Sequence, residues 1–134
     1  MSTGNFKSPS KIGKAVSSAN TLLRSGNKFS VASKYGIGSY NSLINKVSKK
    51  SGLHVHHLIE RRFAGLFNVK EGNMLSIVLT KEEHQAFTNA WRKAIPYDNS
   101  NAKLKTSTAK PEDVIKAAKD IYKNYPEILK ALGL

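Results

Sequence analysis

Apolar residues recur at intervals of three and four along two early segments. Ile12, Ala15, Val16, Ala19, Leu22 and Leu23 place one apolar stripe along Lys11–Arg24, and that spacing predicts a helix ended by Gly26. Tyr40, Leu43, Ile44 and Val47 repeat the pattern and predict a second helix over Ser39–Lys50, stopped by Gly52, after a Gly-containing connection over Ser33–Gly38. The period then changes. Leu53–Ile59 is short, β-branched and rich in His, Met74–Leu79 (MLSIVL) is an apolar run interrupted only by Ser76, and both read as strands. Between them lie a possible turn of helix and a Gly-Asn turn.

Helical spacing returns after the second strand. Thr80-Lys-Glu-Glu83 is a capping box, in which the Thr hydroxyl and the Glu carboxylate satisfy free amides at a helix start. The helix runs to Ile95, with Phe87, Ala90, Trp91 and Ala94 on its buried side, and Pro96 stops it. Asp98–Lys110 is a polar loop. Pro111 opens a helix to about Asn124, along Val114, Ala117, Ala118, Ile121 and Tyr122, and Pro126 opens a last short one ending near Leu132. The first ten residues are too polar to offset the entropy of ordering them and read as a mobile leader. Residues 11–134 then form a single domain of class α+β. Its centre is an antiparallel strand pair followed by a helix, over about Leu53–Ile95, wrapped by helices from both ends.

Composition narrows the chemistry. The 134 residues have room for one modest core and one site. There is no cysteine, so a metal ion must be held by imidazole, carboxylate, amide or hydroxyl groups. No run reaches the roughly 18 apolar residues that span a bilayer, and the start MSTGNFKSPS lacks the apolar centre of a signal peptide. A soluble chain without its own export signal, and without membrane insertion, is the expectation. The formal charge is +13, and residues 1–52 carry nine Lys or Arg and no Asp or Glu. Dense phosphates attract such a surface independently of sequence, so nucleic acid is the expected partner, with a solvated basic surface as the alternative.

All four histidines lie between His54 and His84, three of them in His54-Val55-His56-His57. One histidine alone in a strand reads as a half-buried polar residue. Here the order of strand, hairpin and helix start can bring the four together, which points to a metal site. In a regular strand His54 and His56 share one face and His57 takes the other, yet neighbouring histidines can serve one site where the strand ends. A neutral imidazole suits both duties required there, as a ligand for borderline divalent ions and as a base near neutral pH.

Gly52-Leu-His-Val-His-His-Leu-Ile-Glu-Arg-Arg-Phe63, with Asn73, Leu79-Thr80, Glu83-His84 and Phe87-Thr88-Asn89-Ala-Trp91-Arg92, resembles the nuclease domains of the HNH (His-Me finger) superfamily found at the C-termini of bacterial polymorphic toxins. The likeness spans roughly Ser39–Tyr97. It implies a ββα-metal core holding one divalent ion, whether Zn, Mg, Mn or Ni. By the same resemblance His56 and His84 are ligands, His57 is the general base and Asn73 braces the hairpin. HNH domains of the colicin type carry a further His where this chain has Thr88, and the pattern gives His54 no role. The resemblance also brings Arg61 and Arg62 to the border of the site, as phosphate ligands or as members of a surface ion pair. Arg92 and Lys93, two turns beyond His84, are candidates to follow the phosphate backbone. Trp91 reads as core.

What the resemblance implies for function is hydrolysis of phosphodiester bonds in DNA with little sequence preference, RNA remaining open. It also implies a toxic last segment of a longer secreted protein, acting in the cytoplasm of a competing bacterium and neutralised in the producer by a cognate immunity protein, which the charge of +13 predicts to be acidic. Two rivals stand beside it. One is a non-enzymatic DNA-binding module with a structural metal. The other is a different zinc hydrolase using His54 and His56 as an HxH ligand pair.

Overall fold

The computed structural model describes residues 31–134. Along them run α1 (Ala32–Tyr35), β1 (Gly38–Ser39), α2 (Tyr40–Ile44), β2 (His54–His57), β3 (Leu75–Leu79), α3 (Lys81–Ala94), α4 (Pro111–Ile121) and α5 (Pro126–Leu132). Tight 3-10 turns occupy Lys49–Ser51, Arg61–Phe67 and Glu71–Asn73. The class is α+β, with helix outweighing strand. The expected leader and the helix over Lys11–Arg24 lie outside the described residues.

The apolar run before Thr80 has the composition of a strand covered on both faces, and that is its position. β3 is the middle strand of an antiparallel sheet ordered β1-β3-β2, and all five of its residues are buried. β2 lies at the edge in a register that sets His54 against Leu79, His56 against Ile77 and His57 against Ser76. The sheet has one strand more than the hairpin the sequence predicts. Gly38–Ser39 pairs with Ser76 and Leu75, and two residues are too few to show a period.

The helix expected over Ser39–Lys50 contracts to Tyr40–Ile44. Only Leu43 of this segment is buried, and Ile44 is exposed. One buried side chain does not repay the ordering of twelve residues, because helices draw most of their stability from packing an apolar face. Ser48 instead accepts from the Lys50 amide and caps the 3-10 turn that follows. Upstream, the expected connection over Ser33–Gly38 holds all of α1 but its first residue, and the start of β1. The helix opened by Pro111 ends at Ile121, three residues short of expectation.

α3 begins where its capping box predicts. Thr80 Oγ1 accepts from the Glu83 amide at 3.2 Å, and Glu83 Oε1 accepts from the Thr80 amide at 2.9 Å. Phe87 and Trp91 then face inward, where Phe63, Phe67, Val114, Ala118, Tyr122 and Ile128 complete the core. No helix among the described residues is long and apolar enough to cross a membrane.

The far end of α3 is held by Arg62. Its Nε donates to Glu60 Oε1 at 2.8 Å, Nη1 to Thr106 Oγ1 at 2.6 Å and Nη2 to the Ile95 carbonyl at 2.7 Å. Longer contacts of 3.4 Å reach the Trp91 and Pro96 carbonyls. The guanidinium also lies over the rings of Phe63 and Tyr97. A cation at this place complements the negative end of the helix and ties it to the loop behind. Arg62 borders the histidine cleft, where the sequence places it. Its donors are engaged inside the fold, in an ion pair more buried than the surface pair of the alternative reading.

Candidate functional site

β2 ends at His57, and this ending lets two neighbouring histidines reach one cleft. The cleft, of about 410 Å³, is lined by His56, His57 and His84 together with Tyr40, Arg61 and Thr88. His84 arrives from the first turn of α3, where its amide donates to the Thr80 carbonyl at 2.9 Å. The capping box thus sets the position of this histidine as well as the start of its helix.

His57 is held on two sides. Its ring stacks on Tyr40 with centroids 4.4 Å apart, and Nε2 lies 3.0 Å from the Glu71 carbonyl oxygen. A carbonyl only accepts, so Nε2 carries the proton and Nδ1 keeps a lone pair. Burial draws the imidazole below its ordinary value of 6.5; the Glu71 carbonyl opposes the change and the Arg61 charge adds to it. At neutral pH the side chain is a free base with one nitrogen anchored and the other available.

The opposite face of β2 carries His54 and His56, and both meet His84. His56 and His84 are 5.4 Å apart with ring planes at 79°, whereas His54 and His84 stack at 4.7 Å with planes within 7°. Imidazole lone pairs lie in the ring plane. Two planes that cross nearly at right angles share a line on which one ion can sit, and stacked parallel planes share none. The crossed planes of His56 and His84 are compatible with one shared ion, and the parallel planes of the His54–His84 stack are not. Among the described residues no group of three or more His, Asp or Glu is arranged to hold a metal. Two imidazoles are one short of the three protein ligands of a typical catalytic zinc site.

No protein-family model, curated protein or solved structure matches the chain. The site accordingly rests on its own geometry and on the motif spacing.

His84 is lowered by burial and then by the nearby His54 charge. His56, 4 % exposed, is brought down to about 3 by burial first and then by the His84 and His57 charges. This makes a stability prediction. The unfolded chain protonates His56 near 6.5 and the native protein near 3, so between those values acid favours unfolding. The contribution is complete above the unfolded value and is lost as pH falls toward the native one, at about 1.4 kcal/mol for each unit of separation. Urea unfolding in chelator should show the wild type losing stability more steeply from neutral pH downward than His56→Asn. Equal slopes would show that His56 is not buried neutral.

The remaining predicted residues are spread around the cleft. Asn73 closes the turn beside Glu71, its amide donating to the Lys70 carbonyl at 2.9 Å, and its side chain is exposed. The bond that orients His57 comes from Glu71, whose contribution is a backbone oxygen and leaves no mark in a sequence. Arg61 is exposed at the cleft, and Arg92 and Lys93 are exposed at the end of α3, Arg92 over the Tyr97 ring at 5.3 Å. Tyr40 and Tyr97 also line the cleft without having been singled out by motif.

Proposed function

We infer that the chain is a metal-dependent endonuclease of the HNH type, cutting DNA with little sequence preference. The observation that carries this reading is the division of labour in one cleft: a base with a fixed tautomer, His57, beside the crossed pair His56 and His84. β2, β3 and α3 follow one another in the order of a ββα-metal unit. The charge of +13 supplies an approach surface for phosphate.

His57 Nδ1 takes a proton from the attacking water, and the resulting imidazolium keeps its Nε2–H on the Glu71 carbonyl, so the ring does not turn during transfer. His56 and His84 would hold a divalent ion, which when bound would neutralise phosphate charge and stabilise the departing 3′ oxygen. Two neutral imidazoles suit Zn, Mn or Ni better than Mg, which prefers oxygen ligands. Arg61, exposed at the cleft, Arg92 and Lys93 hold the phosphate backbone, and contacts to phosphate carry little sequence information. In biological terms the chain is the toxic part of a longer secreted protein, active in the recipient's cytoplasm and blocked by an acidic immunity protein.

Supercoiled plasmid and structured RNA, each incubated with Zn, Mg, Mn or Ni and again with chelator, test this reading. Metal-dependent nicking of the plasmid is expected. No cleavage of either polymer with any ion sinks the enzyme and leaves a basic binding module; cleavage of RNA alone changes the substrate. The HxH hydrolase stays as a second reading because His54 does touch His84, and it requires His54 to be essential.

A further inference from the structure

The segment after Pro111 reaches the site through one phenol. Tyr122, the residue that ends α4, is fully buried, and its hydroxyl meets three groups. It bonds to the Leu58 carbonyl oxygen, lies 3.3 Å from Trp91 Nε1 and lies 3.4 Å from His56 Nε2. These partners join the strand end, α3 and β2 at a single oxygen.

Their chemistry leaves one arrangement of protons. A phenol has one hydrogen to give and two lone pairs to receive with. The Leu58 carbonyl only accepts, so the phenol hydrogen is committed to it. The Trp91 indole only donates, so it occupies one lone pair. The second lone pair faces His56 Nε2. A lone pair on that nitrogen would set two acceptors against each other in a buried place, at the cost of an unsatisfied polar group. With Nε2–H every polar atom of the group is paired. Nδ1 is then the only lone pair His56 has.

We propose that Tyr122 is a positioning residue that fixes His56 as the Nε2–H tautomer and thereby reserves Nδ1 for the metal ion. The second half rests on the reading of His56 as a ligand; the first half stands without it. A ligand ring whose other N–H is anchored keeps its orientation and is the more basic for it. His57 is treated in the same way by the Glu71 carbonyl, so the base and the ligand owe their free nitrogens to two separate oxygens, one from the hairpin and one from the C-terminal segment.

The experiment uses the whole chain with its histidines labelled in nitrogen-15, in chelator at neutral pH, and reads long-range proton–nitrogen correlations. His56 is expected to show a protonated Nε2 and an unprotonated Nδ1. Tyr122→Phe keeps the ring and removes the oxygen; the His56 signals should then become a mixture of tautomers, and zinc affinity by calorimetry should fall roughly 10- to 100-fold, with the circular dichroism spectrum of the wild type. An Nδ1–H ring in the wild type overturns the proposal, and so does a variant that keeps both the Nε2–H signal and the zinc affinity. If Tyr122→Phe does not fold, the wild-type tautomer decides. A wild type that shows Nε2–H but binds no zinc overturns the reservation for a metal together with the metal reading of the site, while the nitrogen signals still establish what sets the tautomer.

Discussion

On the proposed function, replacing His57 by alanine should lower plasmid cleavage by roughly 10²- to 10⁴-fold, the range removed with a general base, while zinc affinity and the circular dichroism spectrum should stay those of the wild type. The reason is its place. His57 stands on the face of β2 away from the His54–His84 stack, held by Tyr40 and by the Glu71 carbonyl, and its loss leaves the crossed pair His56 and His84 intact. His56→Ala or His84→Ala should lose zinc affinity and cleavage together, since each leaves one imidazole to hold the ion. His54→Ala should be the mildest of the four. In the wild type, kcat/KM should rise with pH along an acid limb centred below 6.5, because burial lowers His57 from that value and the neutral ring is the active form. The assignment fails if His54→Ala is inactive while His57→Ala still cuts.

Arg61 and Arg62 are neighbours of the same type with opposite expected effects. Arg62→Ala should destabilise the fold by about 3 kcal/mol, because hydrogen bonds to charged groups are the strong ones and Glu60 is left without its counter-charge. The carboxyl of Glu60, pushed up by burial, then loses the Arg62 bond and charge that oppose that rise, and the last turn of α3 loses its anchor. Arg61→Ala should leave stability within about 0.5 kcal/mol, weaken DNA binding on all sequences and reduce the salt slope by about one. Urea titrations and DNA-binding isotherms at several salt concentrations, run on both variants, separate the two roles. An Arg62→Ala protein of wild-type stability with impaired DNA binding would mean that the internal bonds of Arg62 carry no weight.

How far the sequence disclosed this arrangement depended on the kind of signal each part leaves. α3 is legible at both ends, because Thr80 and Glu83 mark its start by side-chain chemistry and Pro96 cannot continue it. β3 is legible because burial on both faces leaves a run that is apolar at every position but Ser76. The length of α2 is not, since Tyr40, Leu43, Ile44 and Val47 show helical spacing whether or not the core covers them, and only Leu43 is buried. The histidines were legible as a cluster through their spacing, and the separation of His57 from His54 and His56 follows from strand alternation. The two groups that set their tautomers were hidden for different reasons. Glu71 acts through its backbone, and Tyr122 sits at helical spacing among apolar residues, where a tyrosine reads as packing. Arg62 was hidden by Arg61, because nothing in a pair of adjacent arginines tells which one turns inward.

The side-chain bonds that hold Arg62 to Ile95 and Thr106, and Tyr122 to Trp91, Leu58 and His56, join residues between 31 and 66 positions apart. Loops of that length must close before any of these bonds repays their entropy. Local turns and helices can therefore form while the imidazoles are still unset. On a ribosome the delay becomes a sequence of events: the phenol that anchors His56 emerges 66 residues after the histidine itself. For a chain whose proposed activity endangers the cell that makes it, the order of synthesis itself keeps the centre unfinished until its closing helices are made.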